Sequence, residues 1–102
     1  MILTLQSPPS LHNRALREAF HDQCQAQVGP LTKKLYRVRF DFYGDYFKDN
    51  GEPRRRDVDN QIKVILDEVA KAGGIDDCWL QRHWDRMEVH QAQNEYVVVE
   101  LW

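Results

Sequence analysis

Asp57 and Asp59 stand two residues apart, Asn60 and Lys63 follow them, and a second acid pair, Asp76-Asp77, comes further along the chain. Carboxylates gathered this way can hold a hard divalent cation, and a lysine beside them can face a phosphate. Lys63 lies four residues after Asp59, so on a helix the two share a face. A plainer use is open to the same residues. Asp57 and Asp59 would sit at a helix N-terminus, where N–H groups lack partners and the dipole favours negative charge. Asp59 and Lys63 would then form a surface ion pair contributing only about 0.3–0.5 kcal/mol. A calcium loop is excluded: Asp57, Asp59, Gln61 and Glu68 fall at EF-hand spacing, but Ile62 stands where a glycine is required.

The run Arg54-Arg55-Arg56 directly precedes these acids. It is either a solvated charge run or a grip on the phosphates that flank a scissile bond. Lys33, Lys34, Arg37 and Arg39 read more simply as a polar strand face. Hydrolysis of a phosphodiester needs an activated water and a stabilised leaving oxygen, and a carboxylate-held cation supplies both. Geometry restricts Asp77. About eleven helical residues after Asp59 rise roughly 17 Å, and seven extended residues reach back about 24 Å at most. Asp77 therefore rejoins Asp59 if the helix ends near Ala70 and the link folds back; otherwise the site has to be shared between subunits.

The elements that must position these residues follow from periodicity. Ile2 to Leu5 reads as a strand, and Pro8-Pro9 ends it and leaves Ser10 to cap a helix. Leu11, Ala15, Leu16, Ala19, Phe20 and Cys24 recur at helical spacing, up to the stop at Gly29-Pro30. From Leu35 to Tyr43 the period becomes two, with Tyr36, Val38, Phe40 and Phe42 on one face. A polar loop through Asp49-Asn50-Gly51 and Pro53 leads to the arginines. Val58, Ile62, Ile65, Leu66 and Val69 predict a helix from about Asp57 to Ala72, stopped by Gly73-Gly74. Arg82 to His90 and Glu95 to Trp102 predict an antiparallel hairpin, and Val97-Val98-Val99 a strand covered on both faces. The first two strands are expected to be parallel through a right-handed crossover. The fold class is α/β (α+β): a mixed four-stranded sheet with two helices in the order β-α-β-α-β-β, one domain over residues 1–102.

A chain of 102 residues, 42% hydrophobic, supports a single modest core, and a second copy would add stability, so a homodimer is expected. The formal net charge of −2 neither requires nor excludes a nucleic-acid partner. Ten of the fourteen Lys and Arg fall between Lys33 and Lys71, among eight acids, so a cation on two aspartates would leave that region positive. Cys24 and Cys78 have neither disulfide-framework nor zinc spacing and read as two reduced thiols. The absence of an apolar run of membrane length or a secretory layout points to the cytoplasm. Trp79, Trp84 and Trp102 are expected to pack in a core or dimer interface, and His83 and His90 alternate poorly with any acid cluster, which leaves metal ligation by them a minor reading.

The ordered set Arg54-Arg55-Arg56-Asp57-Val58-Asp59-Asn60, Lys63, Asp67, Lys71-Ala72-Gly73 and Asp76-Asp77 resembles the RusA family of Holliday-junction resolvases. It spans about a quarter of the chain, and Pro8-Pro9-Ser10 with Asn13 is similar to that family's opening segment. The resemblance implies that Asp57, Asp59 and Asp77 bind magnesium, with manganese as a substitute, while Asp76 is the less certain acid. It implies Lys63 as a catalytic accessory and Arg54, Arg55 and Arg56 on DNA. It further implies a homodimer in the cytoplasm of a bacterial or phage-infected cell that nicks two opposed strands of a four-way junction, in recombination and repair. Neither a membrane nor a small-molecule cofactor is expected. Two other readings stay open: a non-catalytic DNA-binding module with a structural metal, and a magnesium-dependent nucleotide hydrolase.

Overall fold

In the computed structural model, which describes residues 1–6, 14–56, 58–81 and 84–102, the elements run β1 (Ile2–Gln6), α1 (Arg14–Gln27), β2 (Val38–Gly44), α2 (Val58–Gly73), α3 (Cys78–Gln81), β3 (Trp84–Gln91) and β4 (Tyr96–Leu101). The two long helices and four strands expected from the sequence are present, in a mixed sheet of an α+β domain. The one-turn helix α3 is an addition. The expected helix start at Ser10, with its Pro8-Pro9 and Leu11, lies outside the described residues, as do Asn13, Asp57, Arg82 and His83.

The strand order is β1-β4-β2-β3, with β2 parallel to β3 and β4 antiparallel to both β1 and β2. One expectation is overturned: the last two strands do not form a hairpin, because β2 lies between them. The first two run the same way, as expected, with β4 between them. Burial explains the order. Strand β4 places Val97, Val99 and Leu101 in the core and keeps its other face half covered, so it belongs inside the sheet. Strand β3 is largely exposed and carries charges, which suits an edge. The link from β3 to β4 passes over the end of β2, where the Ala92 N–H donates to the Gly44 carbonyl at 2.9 Å. Gly44 leaves room for it: a Cβ there would lie 3.1 Å from Glu95 Cγ and 3.3 Å from Arg56 Nη1.

Both long helices contribute to a buried cluster with the sheet. Phe20 and Cys24 of α1 and Ile62, Ile65, Leu66 and Val69 of α2 join Leu3, Leu5, Val38, Phe40, Phe42, Val97, Val99 and Leu101. Helix α1 also seals the free edge of β1. The Thr4 N–H donates to Gln27 Oε1 at 3.1 Å, Gln27 Nε2 donates back to the Thr4 carbonyl at 2.9 Å, and the Gln6 N–H donates to Gln23 Oε1 at 2.6 Å. Among the described residues no helix is long and apolar enough to cross a membrane.

Helix α2 ends as its glycines predict. Gly74 takes φ +75°, its N–H donates to the Lys71 carbonyl at 3.2 Å, and the Ile75 N–H donates to the Ala70 carbonyl at 3.0 Å. Gly73 is needed for a different reason: a Cβ there would fall 2.4 Å from Leu31 Cδ1. Gly73→Ala should therefore cost about 1–3 kcal/mol, read as a lower urea midpoint.

Neither cysteine is in a disulfide; Cys24 is buried and Cys78 exposed. Burial, with the charge of Glu68 adding to it, pushes the Cys24 thiol up to about 12. The native protein should thus release one fast equivalent with a thiol-disulfide reagent at pH 8 and two in denaturant. Because the folded value lies above the unfolded one, the Cys24 contribution to stability is intact below pH 9 and declines as pH rises from there toward 12.

Candidate active site

One face of α2 points into the sheet and the opposite face carries Asp59, Lys63, Asp67 and Lys71, each four residues from the next. Along this polar stripe runs a groove of ≈ 610 Å³, lined by Asp59, Lys63 and Asp67 of α2, Arg17 of α1, Asp77 before α3 and Trp84 at the start of β3. Ile62, Val64 and Leu66 supply its apolar lining. Asp59 and Lys63 are both exposed, and among the described residues neither forms an ion pair. The surface ion pair that could have accounted for Lys63 is therefore not made.

Asp67 and Glu68 are engaged instead. Arg17 donates through Nη2 to Asp67 at 2.6 Å and through Nε to Glu68 at 3.3 Å, while Lys71 Nζ approaches Asp67 to 3.3 Å. Glu68 is buried and also bonds His21 Nδ1 of α1. Arg17 thus ties α1 to α2 and places a guanidinium at the wall of the groove.

The cap of α2 turns the chain back, and the Asp76 carboxylate accepts the Cys78 N–H at 3.0 Å, capping α3. That bond, with contacts to Asp77, holds Asp76 below the usual carboxylate range. Asp77 moves the other way, raised first by burial, then by Asp76 and by the charge of Asp67.

The structure brings Asp59, Lys63 and Asp77 to one groove, although α2 runs three residues past Ala70. Asp57, the remaining expected ligand, lies outside the described residues. Two of the arginines before it are engaged elsewhere. Arg54 pairs with Asp45 at 3.1 Å, and Arg56 pairs with Glu95 at 2.6 Å while lying 4.2 Å over the Tyr46 ring. Arg55 is exposed, without an ion-pair partner among the described residues.

Several participants escaped the sequence reading. Trp84, expected in a core or dimer interface, is 46% exposed in the single chain and lines the groove, with its ring edge-on to Phe40 at 6.5 Å. Trp102 is similarly exposed, whereas Trp79 is half-buried. Arg17 gave no signal, because its partners lie on another helix. His90, read as alternating poorly with any acid cluster, bonds Asp41 Oδ1 at 2.9 Å across the parallel β2–β3 pairing, which the expected hairpin concealed. No protein-family model and no curated protein matches this chain.

Replacing Arg17 removes the shortest contact of Asp67 and one of the two close contacts of buried Glu68, which is left to His21 and the more distant Lys71. Arg17→Ala should lower stability by about 1–3 kcal/mol in urea denaturation, and Arg17→Lys should recover only part of it, since a lysine lacks the two-pronged fork.

Proposed function

We propose that this chain is a magnesium-dependent endonuclease of the RusA type, acting as a homodimer in the cytoplasm on four-way DNA junctions. The reading is carried by one observation: Asp59, Lys63 and Asp77, far apart in sequence, line a single open groove in which Asp59 and Lys63 have no ion-pair partner among the described residues. A helix cap alone would need neither Lys63 nor Asp77.

The donor set is of the kind a hard divalent cation takes, because the groove offers the carboxylate oxygens of Asp59 and Asp77. Asp59 and Asp77 would hold the ion, with Asp57 as the third ligand that the sequence resemblance assigns. When bound, magnesium acidifies a water and stabilises the leaving oxygen of a phosphodiester. Lys63 offsets phosphate charge beside the acids, an effect that strengthens as DNA displaces water from the groove. Arg55 is available to a flanking phosphate, whereas Arg54 and Arg56 would have to exchange Asp45 and Glu95 for DNA. Trp84 offers an exposed aromatic surface to a base unstacked at the junction centre. Two copies related by a two-fold axis match the symmetry of a four-way junction.

The structural use of Asp76 as a cap and of Arg56 as an ion-pair partner favours, as a second reading, a DNA-binding module without catalysis. A labelled synthetic four-way junction and a linear duplex of matched sequence separate the two. Wild type should make paired, junction-specific nicks that require Mg²⁺ and disappear with EDTA. Asp59→Asn and Lys63→Met should each slow cleavage by roughly 10²-fold or more while keeping junction affinity within a few-fold. Binding without cleavage by wild type would move the chain to the second reading.

A further inference from the structure

The face of the sheet opposite the buried cluster carries a second group of donors that shares no residue with the groove. The parallel register pairs Asp41 with Glu88 and Tyr43 with His90, so these side chains share one face, while Phe40 and Phe42 point into the core. One donor atom from each of Asp41, Glu88 and His90 lies within 4.8 Å of the others. His90 Nε2 is 2.9 Å from Asp41 Oδ1 and 3.9 Å from Glu88 Oε2.

Each donor is also held from behind. Arg39 Nε takes the outer oxygen of Asp41, Oδ2, at 3.0 Å, and Arg86 Nε approaches the outer oxygen of Glu88, Oε1, at 3.4 Å. The His90 ring stacks on Tyr43 at 4.6 Å, and Tyr43 stacks on Tyr96 at 4.6 Å. These contacts leave Asp41 Oδ1, Glu88 Oε2 and His90 Nε2 as the atoms that approach one another, and outer partners of this kind orient metal ligands.

An imidazolium held by two carboxylates is the simplest alternative, and it leaves one distance unaccounted for. A single N–H on Nε2 serves Asp41 at 2.9 Å, but Glu88 Oε2 at 3.9 Å is beyond hydrogen-bond reach although turned toward the same nitrogen. An ion between the three atoms uses all of them. One imidazole with two carboxylates suits Zn²⁺, leaving a position for water, whereas Mg²⁺ and Ca²⁺ prefer oxygen alone. The two arginines cancel the carboxylate charges, so the affinity would be moderate.

We propose that Asp41, Glu88 and His90 form a zinc site that fastens the edge strand β3 to β2 on the open face of the sheet. This site is independent of the groove and of the nuclease reading. Calorimetric titration of the full chain with Zn²⁺ in excess Mg²⁺, which occupies oxygen-only sites, tests it alongside thermal melts. Wild type and Asp77→Asn should each take up one equivalent and melt at a higher temperature with Zn²⁺. His90→Gln and Glu88→Gln should bind at least tenfold more weakly and lose the zinc-dependent shift. Glu88 is half exposed, so its variant folds even if His90→Gln does not. No uptake by wild type, an equivalent that survives in Glu88→Gln, or one lost only in Asp77→Asn would each overturn the site.

Discussion

Helix α2 has to satisfy two surfaces at once, and the rest of the molecule is arranged around that requirement. Ile62, Ile65, Leu66 and Val69 are buried in the cluster that includes Phe40 and Phe42, which fixes the rotation of the helix about its own axis. Once that rotation is set, Asp59, Lys63 and Asp67 must emerge on the far side. The groove is consequently a by-product of core packing: the apolar stripe holds its acids in place, although none of those apolar side chains carries charge. A shift of helix α2 by one residue would rotate the acid row by about 100° and dissolve the arrangement.

The second constraint is the cap at Gly73-Gly74. A helix that simply ended would send the chain onward and away from Asp59. The left-handed turn at Gly74 redirects it, and Asp76 then starts the short helix α3, so Asp77 returns to the wall of the groove. Arg17 reaches in from α1 to contact Asp67 and Glu68, making the orientation of the two long helices part of the same electrostatic arrangement.

The features that could be read from the sequence are those written into a local period. The stripe of α2, its glycine stop and the alternation of β2 each extend over several turns or pleats, so the pattern outweighs any single residue. The shared helix face of Asp59 and Lys63 was legible for a related reason: their four-residue spacing sets it whatever the helix packs against. Strand pairing is different. Each strand presents the same alternation to any neighbour, and the choice of neighbour depends on how completely both faces are covered. Thus β4 was recognised as a strand but not as the partner of β1 and β2. The same gap hid the association of Asp41 with Glu88 and His90, which exists only because β2 and β3 run side by side. The place of Trp84 at the groove was not legible, because it is set by the start of an edge strand.

The route of the β3–β4 link over Gly44 bears on how quickly the sheet can assemble. Ile2 pairs with Glu100 and Val38 with Leu101, and the remaining pairing, β2 with β3, has α2 and α3 in between. Among the described residues no strand pairing of the four-stranded sheet is a hairpin that could close within microseconds and serve as a local template, and the local bridge of Phe47 with Pro53 stands outside that sheet. Every ladder requires a long loop to close before its hydrogen bonds can form, so assembly of the sheet should be slow for a domain of this size and governed by topology. Helix α2, with its well-defined cap and apolar stripe, is the element best able to persist while the strands find their order. The part of the chain that holds the acid row is then also the part around which the sheet would have to gather.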